Sequence, residues 1–376
     1  MGDNEDDGLR SIFSSSSSQS YTTWAVHEAR LIEPRETPSK EQAIAFIDEL
    51  YESKTPFFTK KAIGELAAQL KTQGTAGDTI ITKDLTGASL EWKVKVGKST
   101  WRRSYPDPDI RNEWIYKAVG INYSSKAQLE SDLDWKEVEN TVYSPLSLMH
   151  RICRVDSNSE NKDTIHNHKI EERSVVAQDF QSKILAWEES ETCKNFKSIL
   201  SSFASGHDIN NIVGLACGSL ALPENDSAAS QTALLVTVRN WLKERDPNKN
   251  VSCYIQDPMN TPVDKEVLAD VGFEMIDDPR GWLEVNEQSV VLSVAPNVPV
   301  KEIIADIARP AIVIWYRVED EEEKVASTDP NSARVRAMME GYNIHEFGSD
   351  EEKWSDVVIY IRKSEVAPIP NEDGTF

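Results

Sequence analysis

From residue 211 onward the chain alternates short apolar runs with amphipathic helical stretches, and this alternation restricts its fold more than any other feature. Residues 211–216 form an apolar run that ends in small side chains. Residues 227–245 then read as a helix with Leu234, Leu235, Val238, Trp241 and Leu242 on one face. Further strands follow at 251–255, 273–276, 290–294 and 311–315. Between them, Thr261, Pro262 and Asp264 give one helix a cap, a first-turn proline and a first-turn acid, and Gly272 ends it. Pro299 opens another helix, with Val300, Ile303, Ile304 and Ile307 inward. Strands without polar alternation are buried on both faces. Successive βαβ units close as a parallel sheet with right-handed crossovers. The expected fold class is α/β: a Rossmann-like three-layer sandwich with a mostly parallel sheet. A helix at 332–340 and a last strand at 357–361, placed at the edge of that sheet, complete it.

A smaller α+β region precedes it. Ser39 and Gln42 make a capping box, after which Ile44, Ile47, Leu50 and Tyr51 share a face. Thr59 starts a second helix carrying Ile63, Leu66, Ala67 and Leu70, and Gly74 and Gly77 end it. Residues 90–96 alternate, with Leu90, Trp92, Val94 and Val96 opposite Glu91, Lys93 and Lys95, as a strand with one wet face does. They lead into Lys98, Trp101, Arg102 and Arg103, a basic and aromatic patch read as a solvated edge strand rather than as a surface for RNA or an acidic partner. Two helical stripes, Val176 to Trp187 and Phe196 to Phe203, are core-facing. The expected division is a disordered, acidic, serine-rich tail at 1–23, an α+β region at 24–155, a linker at 156–168, a Rossmann-like domain at 169–363 and a C-terminal tail at 364–376. The serines of the first tail also suit a phosphorylation platform.

Charge narrows the function classes. The 376 residues hold 41 basic and 63 acidic side chains, a net charge of −22. That charge repels phosphates and anionic bilayers, so neither nucleic acid nor a membrane is an expected partner. The four cysteines form no C-x-x-C pair, which argues against a zinc knuckle and for a reducing compartment. His150 with Cys153, and His166 with His168, lack the further ligands a metal site needs, so no metal is expected. No run is long enough to span a bilayer, and the first residues are acidic where a signal peptide would be basic and then apolar. The expected location is the cytoplasm, the nucleus or both.

In open α/β sheets ligands bind outside the carboxyl ends of the strands, so those ends supply the candidates. The first is Gly214, Ala216, Gly218 and Ser219, where small residues permit a sharp turn and close backbone approach to a ligand. The dinucleotide fingerprint is not met; the spacing is nearer the first glycine-rich motif of S-adenosylmethionine-dependent methyltransferases, with Ile212 where that motif commonly has an acid. The second strand ends at Asp257, where a carboxylate accepts from a ribose diol or else caps the turn at Pro258. The third ends at Asp278, beside an adenine in the methyltransferase layout or a helix cap. The fourth ends at Asn297, on a catalytic or substrate loop or as the cap of the helix opened by Pro299. Cys217 sits near a helix start that lowers a thiol pKa, although a small buried residue is the plainer role. No nucleophile elbow, Walker sequence or acid–base pair is legible.

The blocks IVGLACGSL, SQTALLVTVRNWL, YIQDPMNTPVDKEVLADVGFEMIDDPRGWLEV, SVVLSVAPNVPVKEIIADIARP and AIVIWYRV, in this order and spacing, resemble the SRR-type ("Sensitivity to Red Light Reduced"-like) domain, especially its fungal form. The resemblance implies circadian and light-signalling regulation, with links in some members to haem metabolism or microtubules. It brings no catalytic residue set. The expected function is thus a non-enzymatic regulatory protein with a protein partner. The alternatives are a methyltransferase-like or nucleotide-ligand-binding enzyme and a protein-interaction scaffold. An adenosyl ligand and haem are the cofactors to test.

Overall fold

The computed structural model describes residues 22–26, 29–103, 111–135, 141–159, 162–165, 169–222, 226–319, 327–346, 348, 354 and 356–364. The expected tail up to residue 21, His166 and His168, most of the acidic run after Val318 and the C-terminal tail beyond residue 364 lie outside the described residues. The chain divides into two units, Met1–Thr55 with Gly64–His168, and Pro56–Ile63 with Lys169–Phe376.

The first unit holds β1 (Thr22–Val26), β2 (Arg30–Leu31), α1 (Lys40–Glu52), most of α2 (Lys60–Thr72), β3 (Thr79–Lys83), β4 (Ser89–Lys93), β5 (Ser99–Arg103), β6 (Arg111–Tyr123), α3 (Lys126–Trp135) and β7 (Leu146–Arg154). The Ser39–Gln42 capping box opens α1 as its spacing predicts. The strands form two antiparallel sheets, ordered β1-β7-β6-β5 and β2-β4-β3. Leu90, Trp92 and Val94 are buried on one face, as the alternation requires. The indole of Trp92 donates to Thr82 Oγ1 at 2.8 Å, which satisfies the buried N–H.

The second unit holds α4 (Arg173–Glu189), α5 (Glu191–Phe203), β8 (Asn211–Leu215), α6 (Asp226–Arg245), β9 (Ser252–Gln256), α7 (Pro262–Asp270), β10 (Glu274–Met275), α8 (Arg280–Glu284), β11 (Ser289–Leu292), α9 (Val300–Ile307), β12 (Ile312–Tyr316), α10 (Ala333–Met339), β13 (Tyr342–Glu346) and β14 (Val357–Arg362). Its sheet has the order β10-β9-β8-β11-β12-β14-β13. Strands β8 to β12 run parallel, and β14 runs antiparallel to both β12 and β13. Every residue of β8 and β11 is buried, which accounts for the continuous apolar runs that follow Asn211 and Ser289.

Two details differ from the sequence reading. The strand at 357–361 is not the edge: β14 lies between β12 and β13, and β13 takes the outer position. The sequence of β13, YNIHE, buries little beyond Tyr342, and its alternation of Tyr342 and Ile344 with polar residues is too short to reveal a strand. Helix α6 is also buried on more than one face, because Trp187 of α4 donates to Thr237 Oγ1 at 2.9 Å and Trp241 to Ser201 Oγ at 3.2 Å.

Strand order turns at β8: the chain moves outward through β9 and β10, then returns to the other side of β8 with β11 and β12. Such a reversal opens a crevice at the carboxyl ends of the strands on either side of it.

Candidate ligand site at the carboxyl ends of the parallel strands

Gly214 lies in β8 itself, and Ala216, Gly218 and Ser219 follow on the turn that leaves it. At Gly214 a Cβ would stand 2.7 Å from Leu235 Cδ1 and 2.9 Å from Cys217 Sγ, so glycine lets α6 close on the strand. Ala216 and Gly218 both take left-handed backbone, with φ of 55° and 81°. Only the glycine does so without steric cost.

Two carboxylates fix this turn. Asp257, at the end of β9, accepts from Gly218 N at 2.6 Å and from Met259 N at 2.7 Å. Asp264, fully buried in the first turn of α7, accepts from Leu220 N at 2.6 Å and Ala221 N at 3.0 Å through one oxygen. Its other oxygen accepts from Ser219 Oγ at 2.7 Å, Thr261 N at 2.6 Å and Thr261 Oγ1 at 2.7 Å. Thr261 and Asp264 form the capping box of α7, so one acid closes the helix start and the loop after β8 together. Sequence reasoning found Asp264 as a helix acid, but nothing in sequence reveals its reach across 44 residues to Leu220.

Asp257 is half-buried, and burial pushes its carboxyl above the ordinary range; the two N–H bonds oppose that rise and the nearby Asp264 adds to it. Cys217 is buried, and desolvation followed by the charge of Asp257 pushes its thiol well up, which keeps it protonated and un-nucleophilic. Asp278 accepts from Gln256 Nε2 at 3.0 Å and Trp282 Nε1 at 3.1 Å. The helix-cap reading of Asp278 gives way, because α8 starts from Pro279 with no side-chain cap.

The ends of β11 and β12 are more open. A cleft of about 650 Å³ is lined by Asn297, Lys301, Tyr316, Arg317 and Asp329 among others. Asn297 is exposed and does not cap α9, whose cap position is Pro299 without a side-chain bond. Ala295 takes φ of 53°, the third alanine or glycine in left-handed backbone at these strand ends, and Thr328 Oγ1 holds the loop by donating to Pro296 O at 2.8 Å. Lys301 is buried; its ammonium donates to Asn331 Oδ1 at 2.8 Å and Asp329 O at 3.3 Å. Sequence reasoning missed Lys301, Tyr316 and Asp329. Tyr316 alone had a signal, its place at a strand end. Arg317 is paired with Glu346 at 2.7 and 2.9 Å. Among the described residues no group of three His, Cys, Asp or Glu is placed to hold a metal, and no helix is long and apolar enough to cross a membrane.

This geometry defines a class: a mixed α/β domain whose parallel strands reverse order beside a small-residue turn. Within it, residues 177–361 match the SRR1 domain family, so this part of the chain is an SRR1 domain. No curated protein matches the chain. Among solved structures, a chain of the complex between the Haloferax volcanii Trm112 methyltransferase activator and a putative methyltransferase matches at 12% identity, over 51% of this chain and 97% of that one, with a TM-score of 0.26. Human N-acetylserotonin methyltransferase, solved with SAM, matches at 8% identity over 51% of this chain and 57% of that one, also at 0.26. Scores at that level assign neither fold nor activity.

Proposed function

We propose that the second unit is a Rossmann-like three-layer domain that holds a phosphate-free adenosyl compound, S-adenosylmethionine or S-adenosylhomocysteine, and serves regulation. The observation that carries this is the occupation of the β8 turn by Asp257 and Asp264. Loops that cradle a pyrophosphate offer free backbone N–H groups to it. Here those of Gly218, Leu220 and Ala221 already serve carboxylates. A phosphate entering would find its donors taken and meet two acids, and like charges at close range repel. A ligand with a ribose diol and a cationic tail meets the opposite situation: Asp257 keeps lone pairs that accept hydroxyls, and the acid suits a sulfonium or ammonium. The regulatory part of the reading comes from the family resemblance, and the family match over residues 177–361 carries no activity of its own. Its setting in the cytoplasm or nucleus, in circadian or light signalling through a protein partner, rests on the family resemblance alone.

The test is calorimetric titration of the full chain with S-adenosylmethionine, S-adenosylhomocysteine, NAD, ATP and haem. Saturable binding of the two adenosyl compounds, without binding of NAD or ATP, is expected. Asp257→Ala should weaken it roughly tenfold, the loss of one charged hydrogen bond. Binding of NAD in preference, unchanged affinity in Asp257→Ala, or no binding by folded protein overturns the reading. Methyl transfer to a defined substrate would replace regulation by catalysis.

A further inference from the structure

Buried polar side-chain atoms in folded proteins almost always have a partner, and each exception calls for an explanation. Two exceptions lie in the loops that leave the carboxyl ends of β9 and β11, on either side of β8. Asn260 has both its amide oxygen and its amide nitrogen buried with no partner among the described residues. Ser293, 2% exposed, has its hydroxyl in the same condition. Unpaired atoms also occur within strands, on Asn211 at the amino end of β8 and on Trp315 inside β12. Asn260 and Ser293 differ from these in place. Ser293 follows directly on β11, and Asn260 stands four residues beyond the end of β9; these strands flank the reversal in strand order.

Burying an amide without a hydrogen bond costs free energy that folding alone does not recover. The chain nonetheless keeps an Asn three residues after Asp257 and a Ser two residues before the cleft-lining Ala295. Packing alone would be served better at both positions by apolar side chains. Strands β9 and β11 are two spacings apart across β8, roughly 9.5 Å. A nucleoside with an amino-acid-sized tail spans that distance. An amide presents a donor and an acceptor together, which matches a ribose diol or the edge of a base; a hydroxyl does either job.

We propose that Asn260 and Ser293 are the polar contacts of the adenosyl ligand, the first on its nucleoside portion beside Asp257 and the second on its tail across β8. This rests on the adenosyl reading of the same site. It adds two contacts that neither the glycine-rich turn nor Asp257 supplies, and it distinguishes them from residues held for stability.

The test measures S-adenosylhomocysteine affinity and thermal midpoint together, on the full chain and on Asn260→Leu and Ser293→Ala. Each variant should bind roughly tenfold more weakly, as for loss of one hydrogen bond to a ligand. Each should melt at the same temperature as the parent or higher, because a polar group without a protein partner has been removed. Variants that bind as tightly as the parent overturn the assignment and leave the adenosyl reading intact. Variants that lose affinity and melt lower also overturn it, since the groups then serve the fold. A parent chain that binds no S-adenosylhomocysteine while folded overturns the adenosyl reading, and this proposal with it.

Discussion

At the β8–β9 corner of the sheet edge the backbone amides of the turn are held by Asp257 and Asp264, whereas at the β11–β12 corner Asn297 and Tyr316 remain open to solvent around about 650 Å³. Both corners obey the same topological rule, and both use left-handed backbone at an alanine, Ala216 in one and Ala295 in the other. The difference lies in where the acids point. In the first corner they turn inward onto the loop and take up its backbone amides. In the second, Lys301 and Arg317 neutralise Asp329 and Glu346, and the loop around Asn297 is held mainly through Thr328. Strand order locates a crevice; the side chains on the following helices decide which ligands it admits.

The largest effect expected from breaking this contrast is at Asp264. Replacing it by alanine strips the acceptor from five donors in a fully buried position. The expected loss is about 3–5 kcal/mol, the range for removing one side of a buried charged network. Asp264→Asn should recover part of it, because one oxygen remains to accept. Denaturant titration of the full chain, followed by a signal from the second unit, measures both. A loss in Asp264→Ala no larger than for a surface substitution would show that the closed corner is not held by this acid.

Gly214→Ala comes next, at about 1–3 kcal/mol for overpacking. Leu235 can swing aside in part, but Cys217 Sγ and Ile255 Cγ1 also stand within 3.3 Å of the new methyl group. The same titration reads it. A neutral result would mean that α6 has room to shift away from β8, and the turn would then be less fixed than its hydrogen bonds imply.

A pH dependence sharpens the contrast further. Burial raises the Asp257 carboxyl in the folded state above its ordinary value of 3.8, so the fold favours the protonated form. Between those two values the folded state binds more protons than the unfolded one. The contribution to stability is therefore fully present below pH 3.8 and is lost as pH rises through the folded value. Asp257→Asn does not titrate. The stability of the parent relative to Asp257→Asn should fall as pH is raised from about 3 to 7. A difference that is flat, or that grows with pH, would mean that the hydrogen bonds from Gly218 and Met259 outweigh burial.

Much of this architecture was legible because β8 and β11 run apolar after their first residues and β12 carries no polar alternation, and because Thr261 and Asp264 carry a helix-start spacing that needs only three residues of context. β13 was not legible, since its alternation is only two apolar residues long, Tyr342 and Ile344, and the second of them is exposed. The candidate positions Asp257 and Asn297 followed from a rule about strand ends, which places a residue but says nothing of its partners. The partners come from long-range packing: Gly218 reaches Asp257 across 39 residues, and Lys301 reaches Asn331 across 30. The orphaned groups of Asn260 and Ser293 were invisible for the same reason, because satisfaction of a hydrogen bond is a property of the fold and not of a window of sequence.

The smallest effect belongs to the open corner. Asn297 and Tyr316 are exposed, neither donates or accepts a side-chain hydrogen bond recorded among the described residues, and neither lies in the apolar core cluster of the unit. Substitutions away from caps, core and buried polar networks stay within about 0.5 kcal/mol. Asn297→Ala and Tyr316→Ala should therefore leave the denaturant midpoint of the second unit where it is. A ring and an amide kept at a cleft without a stabilising role are then free to contact whatever enters it. If either variant instead costs as much as Gly214→Ala, the loop after β11 depends on these side chains, and the two corners differ in degree of closure rather than in kind.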